Sequence, residues 1–251
     1  MKEDFYEEYA HYQSDHWWFL GRKKIILSLL SRFLGEGTNS RSILDIGCGT
    51  GVMLDSLQHY GKAMGIDMSD RALFFSNKIT SAPLIQAEFT SLPFKGQSFD
   101  LVCAFDVLEH LDHDSDCVRE AYRLCRPGGS VLVTVPAFQF LWGIQDVVSH
   151  HKRRYSQKEI INLLKRNGFY PVFSSYFNTF LFPVIAFVRL FSRLKKTQNR
   201  HSDLDIQTPQ LLNRMLTRLF GFERFLLKYF RFPFGVSLIC LAQKPAYTQP
   251  L

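Results

Sequence analysis

From Ser42 onward the chain alternates short, nearly unbroken apolar runs with longer stretches that are apolar on one side only. The runs Ser42–Ile46, Ala63–Ile66, Pro83–Gln86, Phe99–Phe105 and Ser130–Val135 predict strands. Because they are continuous rather than alternating, both sheet faces should be covered, as in a parallel sheet. Between them, Val52–Tyr60, Asp70–Thr80 and Asp114–Cys125 predict helices, and a further helix is expected ahead of the first strand at Arg22–Phe33. "RPGG" at 126–129 predicts a turn that launches the fifth strand. Ser156 with Glu159 three residues on forms a capping box, opening a helix that should end near Asn167-Gly168. "FYPVFSSYF" and "GVSLICLAQ" read as two closing strands. They lie about 55 residues apart, longer than ordinary connections, which predicts an inserted element between them.

The first strand runs into "ILDIGCGTG", with Gly47, Gly49 and Gly51 just before a helix. A strand, a glycine turn and a helix bring backbone close to a ligand at the carboxyl edge of a sheet. The spacing is GxGxG, without the Lys-Ser/Thr of a phosphate-binding loop. Acids then recur where the next strands end. Asp67 follows the second strand about 20 residues later, where a carboxylate can take both hydroxyls of a ribose. Glu88 follows the third beside Phe89, suited to an adenine amine and an adenine face. The fourth ends at "DVLEHL", with Asp106, Glu109 and His110 at the switch point of the sheet.

Together, "ILDIGCGTG", "GIDMS", "EFTSLPFKGQSFDLV", "DVLEHL" and "LCRPGGSVLVTVP", over about residues 42–136, resemble the class I S-adenosylmethionine-dependent methyltransferases, of the broad type that includes the ubiquinone-biosynthesis enzymes. The resemblance implies an α/β, Rossmann-like fold: a seven-stranded, mostly parallel sheet with a reversed last strand and helices on both faces. It also implies S-adenosyl-L-methionine as cofactor. Carried over by position, Asp45, Gly47, Cys48, Gly49 and Gly51 would face its methionine part, Asp67 and Met68 its ribose, and Glu88 and Phe89 its adenine. Phe105 and Asp106 would line the floor near the sulfonium. Glu88 stands where most relatives carry Asp, a longer arm for the same contact. Residues 41–176 would form the cofactor domain, preceded by an N-terminal lid (1–40) and followed by a helical basic insertion (177–232) and a closing strand with tail (233–251).

Methyl transfer to a hydroxyl needs alignment, exclusion of water and a base. His110 is one candidate. The others lie in "WGIQDVVSHHKRRYS", where related methyltransferases show a similar "W…D…H.R.Y/F" stretch: Asp146, His150 and His151 as catalytic candidates, and Trp142, Arg153, Arg154 and Tyr155 as acceptor contacts. Each also has a structural reading, tying the loop to the sheet or packing ahead of the Ser156 cap. Trp18 and Arg22 could close over the cofactor, with Arg22 meeting an anionic group, or pack on a sheet edge.

Composition narrows the class. At 46% hydrophobic and 21% charged the chain reads as globular. Its five cysteines form no CxxC pair and meet no histidine at zinc-ligand spacing, so no metal is assigned and a reducing, cytoplasmic location is expected. The acidic, aromatic start differs from a signal peptide. Between Arg189 and Arg231, ten basic residues face three acidic ones, which accounts for the whole formal charge of +7. There Leu212, Met215, Leu216, Leu219, Leu226 and Tyr229 form an apolar helical stripe beside Arg214, Arg218 and Lys228. Such a helix either caps an acceptor pocket or lies on anionic lipid at the inner membrane face. No RNA-binding motif accompanies the charge, so nucleic acid is not expected. The function expected is O-methylation of a small-molecule or lipid-linked acceptor; the alternatives are a cofactor-binding regulatory module without turnover and a peripheral membrane enzyme acting on a polyprenyl or glycolipid acceptor.

Overall fold

The computed structural model describes residues 12–35, 40–194 and 208–246, the side chains of 192–194 excepted. The acidic start, part of the basic window and the last residues of the tail lie outside them. In chain order the elements are α1 (Trp17–Leu34), β1 (Ser42–Ile46), α2 (Val52–Leu57), β2 (Lys62–Asp67), α3 (Asp70–Ile79), β3 (Leu84–Gln86), β4 (Phe99–Phe105), α4 (Asp114–Leu124), β5 (Cys125–Pro136), α5 (Ile144–Val148), α6 (Gln157–Arg166), β6 (Tyr170–Phe177), α7 (Phe182–Leu194), α8 (Gln210–Leu226) and β7 (Ser237–Gln243). The expected helix at Arg22 starts five residues earlier, because His16 caps it by accepting the Trp18 N–H at 3.3 Å.

The seven strands are ordered β3-β2-β1-β4-β5-β7-β6. β7 runs antiparallel to β5 and to β6, and the other pairs are parallel, giving the expected reversed last strand. Order reverses beside β1, so the carboxyl ends of β1 and β4 open onto a crevice, where ligands bind in such sheets. "RPGG" is not a turn ahead of β5 but a bulge within it. Phe99 pairs with Cys125 and Leu101 already with Ser130. The extra residues are held by backbone bonds between Gly128, Gly129 and Lys244 and by the Arg126–Asp100 ion pair at 2.7 Å.

One sheet face is covered by α4 and α6 through Val118, Leu124, Ile160 and Leu164. The other is covered by α1 and α8 through Ile25, Ile26, Phe220 and Leu227. Gly21 makes that helix pair close: a Cβ there would lie 2.3 Å from the Phe220 ring. Glu223, fully buried, accepts the backbone N–H groups of Thr179 and Phe180 and so fixes the entry to α7.

α8 turns part of its apolar stripe outward. Thr217, Phe220, Gly221 and Glu223 face the core, while Met215, Leu219 and Phe222 are exposed. The physical reason is the neighbour. α1 offers a surface notched at Gly21, which takes one ring and small residues rather than a row of leucines.

Candidate functional site

A cavity of about 960 Å³ opens at the carboxyl ends of β1, β2 and β4. Asp45, Gly47, Cys48 and Gly49 line it from the first strand and its turn, Asp67 and Met68 from the second, Phe89 after the third, and Phe105, Asp106, Glu109 and His110 after the fourth. The turn needs its glycines. Gly47 has φ +70 and a Cβ on it would sit 2.5 Å from Val107; Gly51, with φ +86, caps α2 and lies against Ser76 instead of lining the cavity.

Two acids mark the ligand side. Asp45 is buried and its Oδ1 has no partner among the described residues; burial, with Arg22 opposing and Asp67 reinforcing, pushes its carboxyl up to about 8. Asp67 accepts the Gly49 N–H at 2.9 Å and the Ser69 N–H at 3.0 Å, and burial raises it as well. An unpaired buried acid costs stability unless a ligand completes it. Around Gly49, among the described residues other than its chain neighbours, no atom lies within 4 Å of where a Cβ would stand. An orphaned acid, open backbone and a second acid at the next strand end suit an aminoacyl-nucleoside cofactor, so the residues fit S-adenosyl-L-methionine. Glu88 follows β3, which ends at Gln86 as expected, but its side chain is exposed and does not line the cavity.

The cavity floor is a charged knot. Asp106, at φ +56, turns its carboxylate to Arg22, 2.7 Å away, and accepts the Thr134 hydroxyl at 3.0 Å. Arg22, whose guanidinium also lies over Trp18 and Phe105, is thereby neutralised within the protein. Holding Asp106 in the left-handed region is a local strain that this contact maintains.

The far wall comes from the loop after β5. His151 Nδ1 is 2.8 Å from Asp146 Oδ1, and Arg154 grips both oxygens of the same carboxylate at 2.8 and 2.9 Å. Burial disfavours the Asp146 charge, but these bonds and the Gly143 N–H outweigh it, holding the carboxyl at about 2. With Nδ1 engaged, Nε2 is the nitrogen left for the cavity, which His151 lines. His110 stacks edge-on to it at 4.7 Å; burial, then the nearby His151, lowers its pKa to about 3, so its ring is neutral. Glu109 is fully buried, neither of its oxygens has a partner among the described residues, and burial together with Asp106 raises its pKa strongly. Among the described residues, Glu109, His110 and His151 each offer an atom within 4.8 Å of the others, a set that could also hold a divalent cation.

Several acceptor candidates stand elsewhere. His150, at φ +56, is exposed and lines nothing. Arg153 bonds to the carbonyls of Leu111 and Asp112 and pairs with Asp114, which also accepts the buried Tyr155 hydroxyl. Neither reaches the cavity, nor does Trp142; Trp18, Arg22 and Arg154 do. The wall is completed by Leu212 and Leu216 from the predicted apolar stripe of α8 and by residues that no motif announced, Val184, Ile185 and Val188 of α7, with Arg189 beside Gly143.

A profile of the methyltransferase domain matches residues 44–133, the strands and turns that form the ligand side. Residues 44–133 thus carry a methyltransferase domain, and its relatives in sequence are S-adenosylmethionine-dependent methyltransferases. The chain is similar, at 27% identity over 159 residues, to a probable S-adenosylmethionine-dependent methyltransferase of Mycolicibacterium smegmatis, covering 62% of this chain and 60% of that one. It is 32% identical over 99 residues to the ubiquinone biosynthesis O-methyltransferase of Thiobacillus denitrificans, covering 36% and 42% respectively. The chain thus spans about half the length of these relatives. In fold it resembles a chain of the Haloferax volcanii complex between the Trm112 activator and a methyltransferase, with a TM-score of 0.64, 17% identity and 99% of each chain covered. It also resembles Haemonchus contortus phosphoethanolamine N-methyltransferase 2 in complex with S-adenosyl-L-methionine: TM-score 0.57, 19% identity, 87% of this chain and 52% of that one.

Proposed function

We propose that the protein methylates an oxygen of a small or lipid-linked acceptor, with His151 as the base. The observation that carries this reading is the Arg154–Asp146–His151 relay, which fixes one imidazole nitrogen and leaves the other at the cavity. Bound at the strand ends, S-adenosyl-L-methionine supplies a methyl group on a positively charged sulfur. Asp45, Asp67 and Phe89 would hold it, with Met68 at the rim. His151 Nε2 accepts the acceptor hydroxyl proton as oxygen takes the methyl group, and Asp146 stabilises the imidazolium that forms. Trp18 and Phe105 exclude water, and Arg22 keeps Asp106 in place. α7 and α8 cap the acceptor end with apolar side chains, favouring a substrate with an apolar body. The ubiquinone biosynthesis relative, an O-methyltransferase by name, points the same way.

The test separates cofactor from base. Asp67→Ala should weaken S-adenosylhomocysteine binding by calorimetry by about a hundredfold, since two charge-assisted hydrogen bonds are lost. His151→Ala should leave that affinity unchanged and lower kcat on a phenolic acceptor by about a hundredfold or more. Turnover that survives His151→Ala, or that EDTA abolishes, would replace the base reading by alignment alone or by a cation on Glu109, His110 and His151.

A further inference from the structure

α7 and α8 expose more apolar surface than covering a cavity requires. On α7, Phe187 is 66% exposed and stacks on Phe191, which is itself exposed. On α8, Met215, Leu219 and Phe222 follow one another at helical spacing, all exposed, opposite the face that meets α1. Exposed side chains of this size, carried by two helices that line one cavity, mark an interaction face.

Its charge is one-sided. Arg214 and Arg218 flank the α8 stripe, and Lys228 and Arg231 follow it, all exposed. The single acid among the described residues of this region, Glu223, is fully buried and engaged with backbone. A cationic rim around bulky apolar side chains is complementary to a layer with anionic headgroups above hydrocarbon. Among the described residues no helix is long and apolar enough to cross a membrane, so contact would be from one side.

The cavity opens at the same place. Val184 and Val188 of α7 and Leu212 and Leu216 of α8 line its outer end, and Leu212 is also half exposed. We propose that the outer face of α7 and α8 docks on an anionic lipid bilayer and sets the mouth of the cavity against it. This inference extends the proposed function, because an apolar-bodied acceptor would then enter from the bilayer without crossing water.

Flotation of the full chain with phosphatidylglycerol and with phosphatidylcholine vesicles tests it. The expected result is binding to the anionic vesicles alone, weakened at least tenfold by Phe187→Ser with Phe222→Ser and also by Arg214→Gln with Arg218→Gln. None of these four residues lines the cavity, so S-adenosylhomocysteine affinity should be unchanged, which keeps failure here distinct from failure of the methyltransferase reading. Absence of flotation, or flotation that survives both pairs of substitutions, would overturn the proposal. So would a dimer in sedimentation velocity that the Phe pair dissociates while flotation is absent, since the face would then belong to a second copy.

Discussion

The two walls of the cavity treat their buried acids in opposite ways. At the end of β1, Asp45 keeps an oxygen unpaired among the described residues, and burial pushes it up to about 8. On the loop after β5, Asp146 is equally buried, yet His151, Arg154 and Gly143 satisfy it and hold it at about 2. An acid left incomplete is one a ligand completes, whereas an acid fully engaged by its own chain positions a neighbour. The first wall is a receptor and the second a mount.

One substitution, Asp to Asn, should therefore have opposite consequences on the two walls. Asp146→Asn leaves the Arg154 guanidinium, only 7% exposed, without its counter-charge. Removing one partner of a buried pair costs about 3–5 kcal/mol, so the urea midpoint should fall sharply at pH 7. The wild-type contribution has its own pH window. The folded carboxyl titrates near 2 and an unfolded one near 4, so the stabilisation is present above about pH 4 and is lost as pH falls toward 2. An Asn variant as stable as the wild type at pH 7 would mean that the relay is not held by charge.

How much of this was readable beforehand follows the same division. The receptor wall is written in order along the chain: each strand ends on its own short motif, so Asp45, Gly47, Asp67, Phe89 and Asp106 could be placed one strand at a time. Even there Glu88 differs: it follows β3, whose end at Gln86 matches the pattern, but its side chain is exposed while the neighbouring Phe89 lines the cavity, a difference of direction that the local pattern does not carry. The mount is assembled from distant segments. His150 and His151 are indistinguishable in sequence, and what separates them is the left-handed turn at His150 that sends one ring outward and the next toward Asp146. Arg153 and Arg154 divide in the same way, one tying the loop to Leu111 and the other bracing Asp146. The outward stripe of α8 was visible as a pattern, but its direction was set by Gly21 and Phe220, some two hundred residues apart.

Asp45→Asn is the counterpart, and its effect should be smaller and of opposite sign. The folded carboxyl holds its proton up to about pH 8, while the unfolded one loses it near 4. Between those values the folded state binds more protons, so ligand-free stability declines as pH rises through this window and levels off above it. The Asn variant should lack that slope and, at pH 8, be at least as stable as the wild type by urea denaturation. Binding of S-adenosylhomocysteine near pH 7 should release a proton from wild type, seen as heat that varies with the ionisation enthalpy of the buffer, and release none from Asp45→Asn. Parallel pH profiles for the two proteins would remove Asp45 from the receptor wall.

The smallest effect expected is the most discriminating within the mount. His150→Ala removes an exposed ring that touches neither Asp146 nor the cavity, from a residue whose φ of +56 already disfavours a side chain. Activity and cofactor affinity should stay within about twofold of wild type, the ordinary range for a surface change. His150→Gly should raise stability slightly, by roughly 0.5–1 kcal/mol, because glycine reaches the left-handed region without strain. Were His150→Ala instead to lower kcat as far as His151→Ala does, the loop would have to turn over when substrate binds, and the Asp146 relay would describe only the resting arrangement.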